Sequence, residues 1–295
     1  MKPPPFEYVD PGTVDDVVAA LSARPDAVVL AGGQSLVMAM NLRTATPGLV
    51  VDLRRVPGLA DVTLTGATLT VGSRTTAADL LAHPATGPLG AIRRALGSVG
   101  HPQTRRRTTI GGTVALAEPV AEVPTTLVTL GGSVRLAGPA GDRTVDAAEW
   151  IVGPYATARG RDELVTAVTF DVPSGPSTWR EFVRRRGSFP IAGACVAIEH
   201  VDGDPAAEVV AARVGLCGAA DVPVRVPAAE AELVGHPIGP AAVGRAVAAV
   251  LDQVQPPPHP HASSAHRRAL LGSTLRAALV DVGGGPTAGT GEAAA

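Results

Sequence analysis

The stretch Ala27-Val28-Val29-Leu30-Ala31-Gly32-Gly33-Gln34-Ser35 constrains this chain more than any other. Its first four residues read as a short buried strand, and the run Leu36 to Leu42 directly behind Ser35 reads as a helix. Strand, glycine turn and helix in that order make a cradle. Glycine lets backbone approach a ligand closely, and consecutive N–H groups form an anion nest. Ser35 adds a hydroxyl donor at the positive end of a helix dipole. Around this cradle, Thr13 precedes Val14, Val17, Val18 and Leu21 at helical spacing, with Asp15 and Asp16 in the first turn and Pro25 as the stop. A second strand, Leu49 to Leu53, follows Pro47-Gly48. Residues 1–55 are therefore expected to form a small α/β subdomain.

A second region, 56–173, reads as a hairpin (Val62 to Leu64, Leu69 to Val71), a helix capped at Thr75 or Thr76, a helix from Pro88 to about Gly97, and a polar loop. Thr109-Ile110-Gly111-Gly112 then reads as a second glycine turn. A helix from Val123 to Leu130, a hairpin from Ser133 to Asp146 and a strand from Leu164 to Val172 complete the region. The Pro173 to Ser177 connection marks the next boundary. Beyond it, Trp179 to Arg184, Ile191 to Val201 and Glu208 to Cys217 are strand-like, and Pro227 to Leu233, Pro240 to Val254 and Ser264 to Val282 are helical. Three strands followed by three helices predict, over 178–283, a three-stranded antiparallel sheet covered on one face. The Gly/Ala-rich tail 284–295 carries no packing signal and is expected to be disordered.

Composition narrows the function. A length of 295 residues suits two or three compact units. Hydrophobic residues make up 45%, with no run of membrane-spanning length and no basic-then-apolar leader at Met1 to Tyr8, so a soluble cytoplasmic protein is expected. A formal charge of −2 gives no reason to expect nucleic acid. The triplets Arg105 to Arg107 and Arg184 to Arg186 read as local anion contacts or solvated surface. The two cysteines, Cys195 and Cys217, form no C-x-x-C pair and cannot hold an iron–sulfur cluster or structural zinc by themselves. Lys2 is the only lysine, which leaves none for Schiff-base chemistry in a core. The seven histidines lack helical ligand spacing, and no metal site is expected.

Each glycine motif alone reads as readily as an ordinary tight turn, and neither is a Rossmann fingerprint or a Walker P-loop. Together they resemble something specific. Ala31-Gly32-Gly33-Gln34-Ser35-Leu36 matches an A-G-G-[QHT]-S-L element, and Thr109-Ile110-Gly111-Gly112 matches a T-I-G-G element, of the FAD-binding subunits of molybdenum hydroxylases, the xanthine dehydrogenase and carbon monoxide dehydrogenase family. Val71-Gly72 with Thr75-Thr76, the Gln103, Arg105 and Arg107 approach, Pro119 and Pro124, Glu163-Leu164, and Gly215 to Ala219 with Pro223 and Arg225 extend the resemblance over nearly the whole chain.

The resemblance implies an α+β fold: a two-subdomain FAD-binding domain of vanillyl-alcohol-oxidase (PCMH) type, followed by a smaller C-terminal domain, with the flavin ring between the middle and C-terminal domains. It implies that Ala31 to Leu36 and Thr109 to Thr113 hold the FAD diphosphate and the approach to the flavin. Glu122 would hydrogen-bond the adenosine part, and backbone at Leu164 and Val165 would meet the flavin's polar edge. The chain departs from the pattern at Thr113, where the family usually has Asn, at Thr108 for Gly, at Glu181 for Lys and at Ser188 for Asp. The implied function is electron transfer: iron–sulfur clusters on a small partner subunit deliver electrons to FAD, which passes them to NAD, a quinone or oxygen, with molybdopterin on a large partner subunit. No catalytic acid or base is then required in this chain. Two other readings stay open, a stand-alone FAD-dependent oxidoreductase acting on a small metabolite and a flavin-poor scaffold subunit.

Overall fold

The computed structural model describes residues 2–87 and 89–284. The chain forms two compact units that interleave in sequence. The first takes Met1–Thr86, Val99–Glu118 and Gly131–Asp171; the second takes Gly87–Ser98, Pro119–Leu130 and the chain from Val172 onward. Of the expected disordered tail, all but Gly284 lies outside the described residues, as does Pro88 at the start of the expected 88–97 helix.

In the first unit, β1 (Glu7–Val9), β2 (Ala27–Leu30) and β3 (Leu49–Asp52) form a parallel sheet in the order β1-β3-β2. β3 lies in the middle with all four residues buried, which is why it reads as a continuous apolar run and not as an alternation. β1 gave no sequence signal, because three exposed residues at a sheet edge show no period. The helix Val14–Ala23 begins where the Thr13 hydroxyl accepts from the Asp16 N–H at 3.1 Å. It ends at Arg24, before Pro25. Its buried face, Val17, Val18 and Leu21, packs with Leu49 and Val51 of the small sheet, with Leu53 just beyond it, and with Ala137 and Leu164 of a larger one. Burial of each such side chain contributes about 1.5–3 kcal/mol. Leu21→Ala would remove about 2–5 kcal/mol and loosen the small sheet from the large one.

That larger sheet is antiparallel and contains β4 (Val62–Thr65), β5 (Thr68–Gly72), β6 (Gly132–Gly138) and β7 (Gly141–Asp146). A separate hairpin of β8 (Ile151–Gly153) and β9 (Ala156–Thr157) precedes its last strand, β10 (Leu164–Asp171). The order is β4-β5-β10-β6-β7, so β10 is central, and its register against β6 shifts between Val165 and Ala167.

The second unit is built on β11 (Ser177–Phe182), β12 (Ala192–His200), β13 (Val209–Cys217) and β14 (Val224–Arg225), joined antiparallel in that order. The sequence suggested three strands covered on one face, and both parts of that expectation change. A fourth strand is present because Val224 and Arg225 pair with Leu216 and Gly215, and two residues are too few to show periodicity. Helices cover both faces. Ala192, Ala194, Val196 and Ile198 share a core with Val243, Leu271, Leu275 and Leu279 of the helices Pro240–Gln253 and Ser264–Val282. The opposite face receives the helix Glu122–Leu130, with Gly90–Ser98 against β11, both from earlier in the chain. That approach depends on Gly215, where an added Cβ would lie 1.8 Å from Thr129 Oγ1. Thr125, Thr126 and Thr129 stay inside this buried helix by donating their hydroxyls to the carbonyls of Ala121, Glu122 and Thr125 at 2.7–2.8 Å.

Candidate cofactor site

The first glycine motif lies between β2 and the helix Leu36–Asn41. Gly33 has φ +75°, a left-handed conformation that favours glycine. Gly33 and Ser35 accept from the Val37 and Ala39 N–H groups at 3.0 and 2.9 Å, which winds the chain into the helix. Among the described residues, nothing accepts from the N–H groups of Gly32, Gly33, Gln34 or Ser35, and the Ser35 hydroxyl makes no capping bond. Gly32, Gly33 and Gln34 border a cavity of about 590 Å³. Besides Gly32 to Gln34 it is lined by Val37, Met38, Asn41 and Leu42, from the helix Leu36–Asn41 and its C-terminal end, and by Arg107. Gly32 must lack a side chain here, because a Cβ would lie 1.9 Å from the Arg107 carbonyl oxygen.

The second motif is not a turn. Thr109 is a helix cap and Ile110, Gly111 and Gly112 open the helix Ile110–Leu116. From Ile110 onward its N–H groups are engaged by the protein: Ile110 donates to Thr75 O and Gly111 to Ser73 O, both at 2.9 Å, Gly112 to Thr109 Oγ1 at 3.2 Å, and Thr113 to Thr109 O at 3.0 Å. A Cβ on Gly111 would lie 2.4 Å from Ser73 Cβ and 2.8 Å from Ser73 O. Gly111 thus seats the helix on the end of β5. The buried hydroxyls of Ser73 and Thr75 beside it have no hydrogen-bond partner among the described residues. The two motifs meet at Gly112, where an added Cβ would be 3.8 Å from Ala31 Cβ. The helix ends at Ala117 (φ +48°), whose carbonyl accepts from Tyr155 N, while Trp150 Nε1 donates to Val114 O at 2.9 Å.

The remaining sequence-picked residues are sealed. Leu164 and Val165 are 3% and 5% exposed on β10 in the first unit. Glu122, 3% exposed, starts the helix Glu122–Leu130 in the second. The turn before Leu164 is heavily braced. Glu163 accepts from Arg143 Nε and Nη2 at 2.6 and 2.7 Å and from the Gly160 N–H, and the Arg143 guanidinium holds its carboxyl below the usual range. Arg159 Nη1 donates to Glu163 O at 2.7 Å. Among the departures, Glu181 accepts from Trp179 Nε1 at 2.9 Å and burial pushes its carboxyl pKa up, while Ser188 is exposed in a turn closed onto Arg185 O. Both cysteines are buried, and burial pushes the Cys195 thiol up to about 12 and raises that of Cys217. Among the described residues no group of three or more His, Cys, Asp or Glu side chains could hold a metal, and no helix is long and apolar enough to cross a membrane.

Comparison with known proteins identifies the family. Residues 4–173 match the FAD binding domain in molybdopterin dehydrogenase, and residues 177–282 match the CO dehydrogenase flavoprotein C-terminal domain. The chain belongs to the molybdopterin dehydrogenase FAD-binding family. It is 33% identical to the nicotine 6-hydroxylase medium subunit of Paenarthrobacter nicotinovorans, over 96% of this chain and 99% of that one. It is 32% identical to the carbon monoxide dehydrogenase medium chain of Afipia carboxidovorans, over 95% and 97%. The solved structure of quinoline 2-oxidoreductase from Pseudomonas putida 86 matches with a TM-score of 0.91 at 28% identity, over 96% and 98%. This FAD-binding subunit is accordingly an oxidoreductase component working in electron transfer, with FAD as its cofactor.

The residues of this subunit fit that cofactor: open N–H donors and Arg107 suit a diphosphate, and the glycines leave the space that side chains would fill. Sequence reasoning missed Val37, Met38, Asn41, Leu42 and Arg107 as cavity walls. A signal existed in the run Leu36 to Leu42, which is apolar at every position except Asn41 and so has no ordinary solvent face.

Proposed function

We propose that this subunit binds the FAD diphosphate on the first glycine motif, takes electrons from a 2Fe-2S small subunit of a cytoplasmic complex that also contains a molybdopterin large subunit, and passes them to a terminal acceptor. The observation that carries this reading is the run Gly32 to Gln34, whose N–H groups have no acceptor among the described residues and which lines a cavity together with Arg107. When bound, FAD supplies the redox chemistry that no side chain here can. The chain's own residues bind and orient it. Ala31 to Leu36 hold the phosphates, and Thr109 to Thr113 set the neighbouring wall. The backbone of Leu164 and Val165 meets the flavin's polar edge, fixed by Arg159 and by the Glu163 brace. Residues 1–55 and 56–173 are read as the two subdomains of a vanillyl-alcohol-oxidase type domain and 178–283 as the C-terminal domain. Cys195 and Cys217 cannot supply the four thiolates of a cluster, so the relay must lie on a partner.

The test is to reduce the reconstituted complex with the substrate of its large subunit and follow flavin bleaching, then repeat with this chain alone. Bleaching in the complex only is expected. Equal rates in the isolated chain would sink the relay reading, and a purified chain unable to take up FAD would sink the binding reading.

A further inference from the structure

Just past the helix Ile110–Leu116, two residues other than glycine hold left-handed backbone and are bonded to each other. Ala117 lies at φ +48° and Tyr155 at φ +55°, and the Tyr155 N–H donates to Ala117 O at 3.3 Å. Such backbone is uncommon outside glycine and collects where a side chain has to be aimed. The group aimed here is the Tyr155 phenol, which donates to Glu118 Oε2 at 2.5 Å. Tyr155 is 59% exposed, whereas Glu118 is half-buried. Burial pushes the Glu118 carboxyl up, the phenol pulls it partly back, and among the described residues no cation pairs with it. The other shifted carboxyls of the first unit, Asp26 and Glu163, are held low by Arg24 and Arg143. In the second unit Glu181 is pushed up by burial as well, but its bonds are to Ser98 and to Trp179 Nε1, a donor that never accepts. A phenol does both, so it takes a proton on one side while giving one on the other.

The helix Ile110–Leu116 touches the glycine cradle at Gly112 and carries the chain about 9 Å onward to Glu118. That span is comparable with the ribityl arm on which a flavin ring hangs from its phosphate. Iron–sulfur clusters hand over electrons singly and without protons, while full reduction of a flavin adds two electrons and at least one proton. The proton has to arrive by another route. We propose that Tyr155 and Glu118 relay it from solvent, so that Glu118 is the acid that protonates the flavin as electrons arrive from the partner's clusters. The clusters are oxidised and the flavin is reduced. For each proton delivered, Glu118 releases its carboxyl proton to the flavin ring, the carboxylate takes the phenolic proton of Tyr155, and the phenol recovers one from solvent. The pair ends as it began, with one proton moved from solvent to flavin. This relay rests on the electron-transfer reading above.

The experiment follows cluster and flavin absorbance by stopped flow as the substrate of the large subunit reduces the reconstituted complex. The chains compared are wild type, Glu118→Gln, Glu118→Ala, Tyr155→Phe and Glu181→Gln, matched in FAD content and melting temperature. Glu118→Gln is expected to slow flavin bleaching about a hundredfold with cluster reduction unchanged. Tyr155→Phe should slow it less, because water can reload the carboxylate, and Glu181→Gln should leave the rate as it is. Added acetate should restore part of the rate in Glu118→Ala, which a merely structural role would not produce. A second readout uses the flavin-free chain: the infrared carboxyl band missing from Glu118→Gln should titrate above the usual carboxylate range, and higher still in Tyr155→Phe, where the bond that pulls it down is gone. Unchanged bleaching in Glu118→Gln, an equal loss in Glu181→Gln, or a Glu118 carboxyl titrating in the usual range would each overturn the relay and leave the electron-transfer reading standing. Wild-type flavin that stays oxidised while the clusters are reduced would overturn that reading and the relay with it.

Discussion

Gly32-Gly33 and Gly111-Gly112 are the same dipeptide in sequence, yet the first leaves its N–H groups open on a cavity and the second commits each one to the protein. The difference comes from what the missing side chain permits. At Gly33 it permits φ +75°, which turns successive N–H groups toward one side of the chain. At Gly111 it permits contact, because the helix Ile110–Leu116 can rest on Ser73 only if no Cβ intervenes. Gly32 uses contact as well, since the Arg107 backbone sits against it and brings the second segment to the edge of the first. One motif therefore presents donors, and the other holds the wall beside them in place.

The largest test of this contrast is Gly111→Ala. Its Cβ would collide with backbone and Cβ of Ser73, neither of which is the end of a flexible chain. We expect a loss of about 3 kcal/mol, on the order of 6–12 °C in melting temperature for a unit of this size, measured without FAD. A melting curve like that of the wild type would break the structural reading of the second motif.

Gly33→Asp should do the reverse. A carboxylate beside the phosphate donors adds like-charge repulsion of about 2 kcal/mol, roughly thirtyfold in FAD affinity. Gly33→Ala is the control, sharing the positive-φ cost of about 1 kcal/mol in stability without adding charge. Its Cβ meets only the side chains of Leu30 and Val37, at 3.2 Å. FAD titrations of both variants separate the two effects, and equal FAD affinities would count against phosphate at this motif.

Thr109→Ala removes the hydroxyl that accepts from Gly112 N–H. The cap is worth about 1 kcal/mol. A wall-forming motif predicts that this loss shows in the melting temperature of the FAD-free chain, while FAD affinity, measured on the folded protein, stays within about threefold.

Much of this arrangement was legible beforehand, and the misses share a cause. The cap at Thr13, the glycine cradle after β2 and the strand-then-helix order of the last domain are local signals, carried by neighbours in sequence. What could not be read depends on partners far along the chain. Gly111 looks like a turn until Ser73 is seen beneath it, and Glu122 starts a helix that belongs to the second unit because Gly215 admits Thr129. The apolar run Leu36 to Leu42 was legible as a helix, but not as a cavity wall, because a residue's exposure is decided by what fails to pack on it.

The smallest expected effect gives the finest discrimination. Thr113 stands where the family usually carries Asn, and its N–H already donates to Thr109 O within the helix. Its side chain is half-buried and lies outside the cavity walls. If the second motif contributes shape only, Thr113→Asn exchanges one side chain for another of similar size without adding a ligand contact. FAD affinity should then move by less than about threefold, near 0.6 kcal/mol, and the melting temperature by no more than that energy allows. A direct role predicts otherwise, because an amide offers a donor and an acceptor where the hydroxyl offers a single polar atom. A gain of tenfold or more in FAD affinity would show that the second motif touches the cofactor through its side chain. The contrast between the motifs would then be one of which atoms they present, backbone N–H at the first and side-chain amide at the second, and no longer one of donor against wall.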